Sequence, residues 1–212
     1  VDLGPAQSLC VGTPLQFDAT VPGGTYLWQN GATTPTFNVT TSGNYSVTVT
    51  ANNCSNSDAT QVTFNTYPVV DLGNDTTLCA GQTLLLDATY PGATYLWQNA
   101  STGPTFTVNS AGTYDLDVTL NGCSVNDAIT VGYNPLPVVN LGNDTTICDG
   151  QPLVLNASYP GATYLWQDGS TAATIDASGG GAFSVTLTLN GCTTSDARNV
   201  TVNPLPVVDL GN

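Results

Sequence analysis

The residues of this chain most open to chemistry are its six cysteines, Cys10, Cys54, Cys79, Cys123, Cys148 and Cys192. Cys10, Cys79 and Cys148 form one evenly stepped series, and Cys54, Cys123 and Cys192 form a second with the same step. An even count at fixed spacing points to disulfides. Metal ligation lacks support, because there is no His and nothing else completes a usual zinc site. The same absence removes a Ser-His-Asp triad and a Cys-His pair. Without Lys there is no Schiff base and no Lys–Asn isopeptide cross-link. A pair of Asp carboxylates could hydrolyse a glycoside only inside a cleft, and the chain shows no long insertion to build one.

Composition narrows the class further. All 15 acidic residues are Asp, Arg198 is the single cation, and the net charge is -14. A phosphate-binding surface needs several cations to release counterions, so nucleic acid is excluded as a partner, and so is a polybasic membrane contact. No apolar run approaches the roughly 18 residues of a spanning helix, so membrane insertion is not expected, and no signal peptide is read. The absence of Glu, Lys and Met removes most good surface helix formers and leaves Thr, Val, Asn, Gly and Asp, which favour strands and turns. With no Met, the chain is expected to be a processed or excised piece of something longer.

The elements that position the cysteines follow from an internal repeat. Trp28, Trp97 and Trp166 keep the same step as the cysteines, and Val1-Asp2-Leu3-Gly4 recurs at residues 70–73 and 208–211 and, with Asn for Asp, as Val139-Asn140-Leu141-Gly142. Three copies align without a gap over residues 1–69, 70–138 and 139–207, and residues 208–212 open a further one. Within the middle copy, an N-terminal strand is expected over Val70–Leu78, then Thr83–Thr89, Thr94–Gln98 and Pro104–Val108. Next comes Thr113–Leu120, whose alternation turns Tyr114, Leu116, Val118 and Leu120 inward and both Asp outward. Asn121-Gly122 is a strong hairpin signal, and Asp127–Val131 forms the last strand. About seven short strands around a central Trp predict an all-β chain of three tandem immunoglobulin-like β-sandwich repeats of 69 residues, arranged end to end. Trp28, Trp97 and Trp166 are read as core residues, with a sugar-stacking platform as the other reading.

The motif Leu72-Gly-Asn-Asp-Thr-Thr-Leu-Cys79, then Tyr90-Pro-Gly-Ala-Thr-Tyr-Leu-Trp-Gln98, Gly112-Thr-Tyr114 and Asn121-Gly-Cys123, carries a resemblance. It resembles the tandem Ig-like or PKD-like repeats of very large cell-surface proteins of Bacteroidota, exported by the type IX route, gliding adhesins among them. The first copy departs from it, with Pro5-Ala6-Gln7-Ser8 for Asn-Asp-Thr-Thr and Asn52-Asn53-Cys54 for Asn-Gly-Cys. The resemblance implies an extracellular, cell-surface location. It also marks Thr76 and Thr145, in Asp-Thr-Thr triplets, as candidates for O-glycosylation; as plain sequence they are ordinary β-formers.

An export context makes disulfides the expected state of the cysteines. In an Ig-like sandwich, the first turn (Cys79) and the last hairpin (Cys123) lie at opposite ends, roughly 20 Å apart over six or seven residues. A cystine needs Cα atoms within about 7 Å. Staggered bonds between neighbouring copies, Cys10–Cys123 and Cys79–Cys192, are therefore favoured, leaving Cys54 and Cys148 to partners outside these residues. Pairing inside each copy (Cys10–Cys54, Cys79–Cys123, Cys148–Cys192) is the alternative. No cofactor is implied. Near the junctions Asp71, Asn74, Asp75, Asn140, Asn143 and Asp144 offer oxygen ligands to calcium, with Asp71, Asp75 and Asp144 the charged ones. Their spacing matches no EF-hand loop, and solvated surface Asp is the competing reading. The function expected is a structural repeat segment of a long extracellular surface filament or adhesin stalk, disulfide-stabilised and without catalysis. Its partners are then further copies of the repeat and lateral fibre neighbours. The alternative is an adhesive module for glycans or surfaces.

Overall fold

A computed structural model describes residues 1–208, so the expected opening of a further repeat lies, beyond Val208, outside the described residues. All regular structure among them is strand. The first repeat holds β1 (Gln7–Cys10), β2 (Leu15–Asp18), β3 (Thr25–Trp28), β4 (Thr36–Val39), β5 (Gly43–Ala51) and β6 (Cys54–Asn65). The second holds β7 (Thr76–Cys79), β8 (Leu84–Asp87), β9 (Thr94–Trp97), β10 (Thr105–Val108), β11 (Gly112–Leu120) and β12 (Cys123–Asn134). The third holds β13 (Thr145–Cys148), β14 (Val154–Asn156), β15 (Thr163–Trp166), β16 (Thr174–Asp176), β17 (Gly181–Leu189) and β18 (Cys192–Asn203). Each repeat is a sandwich of a four-stranded and a two-stranded sheet, the first ordered β1-β6-β5-β3 and β2-β4. The fold is that of immunoglobulin-like domains in tandem.

By packing, the chain separates into two compact units. One joins Val1–Asn74 to Leu85–Thr107 and Thr113–Ile129; the other joins Asp75–Leu84 and Val108–Gly112 to the residues from Thr130 on. In the first unit, Trp28 is buried against Phe37 with ring centroids 5.0 Å apart, and Phe17 stacks at 6.4 Å. An indole N–H cannot be buried unpaired without cost, and the Trp28 Nε1 donates to the carbonyl of Thr34 at 2.8 Å. Trp97 repeats this with Gly103, at 2.9 Å. In the second unit Trp166 does so with Ala172, at 2.8 Å, inside a core of Leu155, Phe183, Val185, Leu187 and Val200. The tryptophans are core residues, which leaves no face for stacking a sugar.

Two strands differ from expectation. The N-terminal strand is only Thr76–Cys79, not Val70–Leu78, because the preceding backbone bonds to side chains instead of a neighbouring strand. Leu72 N–H donates to the Asp127 carboxylate at 2.6 Å and Gly73 N–H to Asp71 at 2.9 Å. Gly73 sits at φ 87°, a left-handed conformation that only glycine adopts without strain. The last strand is longer than Asp127–Val131: it runs 12 residues, Cys123–Asn134. It starts at once from a tight turn, where Asn121 and Gly122 take φ 49° and 82°, the pair of positive values that a two-residue hairpin needs. Six strands, not seven, make up each repeat.

Candidate functional site at the repeat junctions

The short first strand of each repeat lies parallel to the end of the long last strand of the same repeat. This register decides where the cysteines stand. Cys10 is opposite Asn65, Cys79 opposite Asn134 and Cys148 opposite Asn203. Cys54, Cys123 and Cys192 begin those long strands, eleven residues earlier. At about 3.3 Å per residue the two cysteines of one repeat are roughly 35 Å apart, further than the expected 20 Å because the last strand is longer. The pairs Cys10–Cys54, Cys79–Cys123 and Cys148–Cys192 are therefore beyond the reach of a cystine and are not made.

The bonds run between repeats. In the first unit Cys10 is joined to Cys123, with Cα atoms 5.6 Å apart. In the second, Cys79 is joined to Cys192, at 5.5 Å. Each links the end of one repeat's first strand to the start of the next repeat's last strand, so the Pro-containing linker is bypassed by a covalent bond. Asn65 Nδ2 donates across the first junction to the carbonyl of Asn121 at 3.3 Å, and Asn134 Nδ2 donates across the second to that of Asn190 at 3.1 Å. Cys10 Sγ lies 3.8 Å from the Gly122 carbonyl; this is a contact, since a cystine sulfur carries no proton. The linker prolines Pro68 and Pro137 are buried. Cys54 and Cys148 are free and exposed.

Side chains in the entry segment of each repeat hold its backbone. Leu3, Leu72 and Leu141 are buried, and their N–H groups donate to Asp58, Asp127 and Asp196 on the long strands. The hydrogen bond from Leu3 holds the Asp58 carboxyl below its ordinary value. These three aspartates recur in the sequence at the same step as the cysteines, yet alternation alone assigns such residues to the solvent face. Tyr26, Tyr95 and Tyr164 make a second repeated clasp: each hydroxyl donates to the carbonyl five residues earlier, at 3.0 Å, and accepts from the N–H of the same residue.

The aspartates considered for calcium are engaged in these backbone contacts. Asp71 accepts from Gly73 N–H, and in the third repeat Asn140 does the same for Gly142 at 2.8 Å. A neutral side chain thus suffices for this backbone contact. Asp75 accepts from Thr130 N–H and Asp144 from Asn199 N–H, each at 2.8 Å. The backbone and side-chain contacts from Asn199 lower the Asp144 carboxyl, with Arg198 adding to the effect. Among the described residues no group of three or more His, Cys, Asp or Glu side chains converges. Thr76 and Thr145 are half-buried at the start of β7 and β13, whereas Thr77 and Thr146 are exposed.

A hollow of about 190 Å³ opens beside Cys54, lined by Val1, Val21, Val49 and Ala51 among others. Val21 and Ala51 stand where the other repeats have Tyr90 and Tyr159, and Leu120 and Leu189, so the hollow is missing bulk.

No family model matches the chain, and no curated protein matches it. Among solved structures it is similar to the I-band fragment I67–I69 of titin, at 12% identity and a TM-score of 0.50, covering 94% of this chain and 96% of that one. A Glu-to-Ala variant of the same three-domain titin segment matches at 11% identity and the same TM-score, with the same coverage. These likenesses define the fold, tandem immunoglobulin-like domains.

Proposed function

We propose that this chain is a structural repeat segment of a long extracellular surface filament or adhesin stalk, in which disulfides between successive repeats carry tension past the linkers. The observation that supports this most is the placement of both cystines at junctions, where each ties one repeat to the next instead of closing a loop within a repeat. Two further features agree with it. All three repeats keep one length, so no loop has grown into a binding site, and disulfides persist in oxidising, extracellular surroundings. The sequence resemblance to Bacteroidota surface repeats extends the reading to the cell surface, with further copies of the repeat as the principal partners and no catalytic role.

A second reading, an adhesive module, has one observation in its favour. Leu27, Leu96 and Leu165 are each more than half exposed, on the edge strands β3, β9 and β15. Each of these leucines offers an apolar contact on its own repeat to a lateral neighbour or a surface. Applying the oxidised chain to a glycan array and to coated surfaces separates the readings. The structural role predicts no saturable binding. Saturable binding, lost on combining Leu27→Ser, Leu96→Ser and Leu165→Ser, would move the chain to the adhesive class.

A further inference from the structure

We infer that the two interlocked cystines make this chain tolerant of proteolysis: an extracellular endoprotease must cut three separate stretches of backbone before the chain parts between Cys10 and Cys192. This rests on the proposed function and deepens it, naming an agent that a stalk under tension has to withstand. Cys10 is bonded to Cys123 and Cys79 to Cys192, so the second bond starts inside the loop closed by the first and ends outside it. Three stretches, 10–79, 79–123 and 123–192, therefore run between the same two bonded pairs. Any one of them keeps the ends joined.

Where the backbone can be cut follows from the sheets. A protease needs a free extended segment, so backbone held in a sheet is withheld from it. Endoproteases that select basic residues find only Arg198, since there is no Lys. Arg198 lies on β18, an inner strand, where it pairs with Phe183. Its Nη1 donates to the Leu141 carbonyl at 2.9 Å, and the next N–H, that of Asn199, is held by Asp144. The open backbone is in the linkers. Residues 66–75 and 135–144 hold no strand, and within them Val69 and Val138 are 76% and 70% exposed. Exposed segments of this kind are where proteases nick folded chains.

Both bonds are placed to span these points: Cys10–Cys123 spans Val69, and Cys79–Cys192 spans Val138. Pairing within repeats spans neither, and one cut after Val69 would then part the chain. Each cut adds one water across a peptide bond, leaves a carboxylate and an amine, and touches neither S–S bond.

The full 212-residue chain lacks Lys, so a Lys-specific endoprotease cuts only where Lys is placed. Val69→Lys, Thr102→Lys and Val138→Lys put one site on each stretch, at exposed positions. Oxidised, digested and run denatured without reductant, every single and double variant is expected to give one species, with the mass of the chain plus one water per cut. Reductant then releases the pieces. The triple variant is expected to part into two without reductant, 1–69 bonded to 103–138 and 70–102 bonded to 139–212. Pulled from its termini, the chain cut after residue 69 should hold and stretch no further than the uncut chain, about 150 Å between Cys10 and Cys192. A cut after residue 102 should raise this to about 235 Å. An elastase-type protease, which cuts after small aliphatic residues, repeats the linker cuts on the unmodified chain. Linker sites that resist cutting in the folded variants overturn the inference. So do single-cut chains that separate without reductant or rupture when first loaded. If the undigested samples map to Cys10–Cys123 and Cys79–Cys192, exchange with Cys54 or Cys148 has unlinked the cut chain and the proposed function stands; if they map to pairs within repeats, the functional reading fails as well.

Discussion

Removing Cys79 and Cys192 together, by Cys79→Ser with Cys192→Ser, should lengthen the fully stretched chain by a predictable amount. With both cystines present, Cys10 and Cys123 form one covalent node, and Cys79 and Cys192 another. The shortest path between the nodes is the 44-residue stretch from Cys79 to Cys123. At about 3.4 Å per extended residue, Cys10 and Cys192 can then separate by no more than about 150 Å, however completely the sandwiches unfold. In the double variant the path crosses Cys10–Cys123 and follows the 69-residue stretch from Cys123 to Cys192, or about 235 Å. Full reduction frees the whole 182-residue stretch between Cys10 and Cys192, about 620 Å. Single-molecule pulling from the two termini reads these contour lengths directly. Bonds within repeats would nearly match the first value, since only the 25-residue stretches 54–79 and 123–148 would extend, about 170 Å in total. The variant separates the two schemes. Its loss of two in-repeat bonds would free the 138-residue stretch from Cys54 to Cys192, about 470 Å. A variant that stretches to about twice the length expected of the junction scheme refutes that scheme.

Other perturbations test the account of each repeat. Ala100 occupies a left-handed position at φ 66° where the other repeats have Gly31 and Gly169, so Ala100→Gly should stabilise by about 1 kcal/mol, seen as a raised urea midpoint. Trp97→Ala removes the buried indole of the second repeat and should cost about 3–5 kcal/mol in the same assay. Asp58 has a folded pKa below its unfolded value, so its stabilisation is present at neutral pH and lost as pH falls through the folded pKa, below about pH 4. Asp58→Ala should therefore be less stable than the parent at pH 7, with the gap closing in acid; a gap that widens on acidification contradicts the clasp on Leu3.

Much of this architecture is legible in the residues, for reasons that can be named. The constant repeat step and the strict alternation of Thr113–Leu120 assign the strand faces, because a period of two allows one buried side only. Asn121-Gly122 locates the hairpin because few other pairs tolerate two positive φ values. The first strand reads too long, since Val70 to Leu72 look like β-formers while the carboxylate that claims the Leu72 N–H sits far along the chain, on Asp127. Side-chain clasps of this kind leave no local pattern. The backbone roles of Asp71 and Asp144 are hidden for the same reason: they look unemployed in sequence, and only the fold shows the backbone N–H groups they hold.

The central claim, that covalent bonds join successive repeats across their linkers, is tested most directly by non-reducing peptide mapping of the oxidised chain. The account predicts linked peptides containing Cys10 with Cys123 and Cys79 with Cys192. Cys10 linked to Cys54, or Cys79 linked to Cys123, would contradict it, as would free thiols at all six positions.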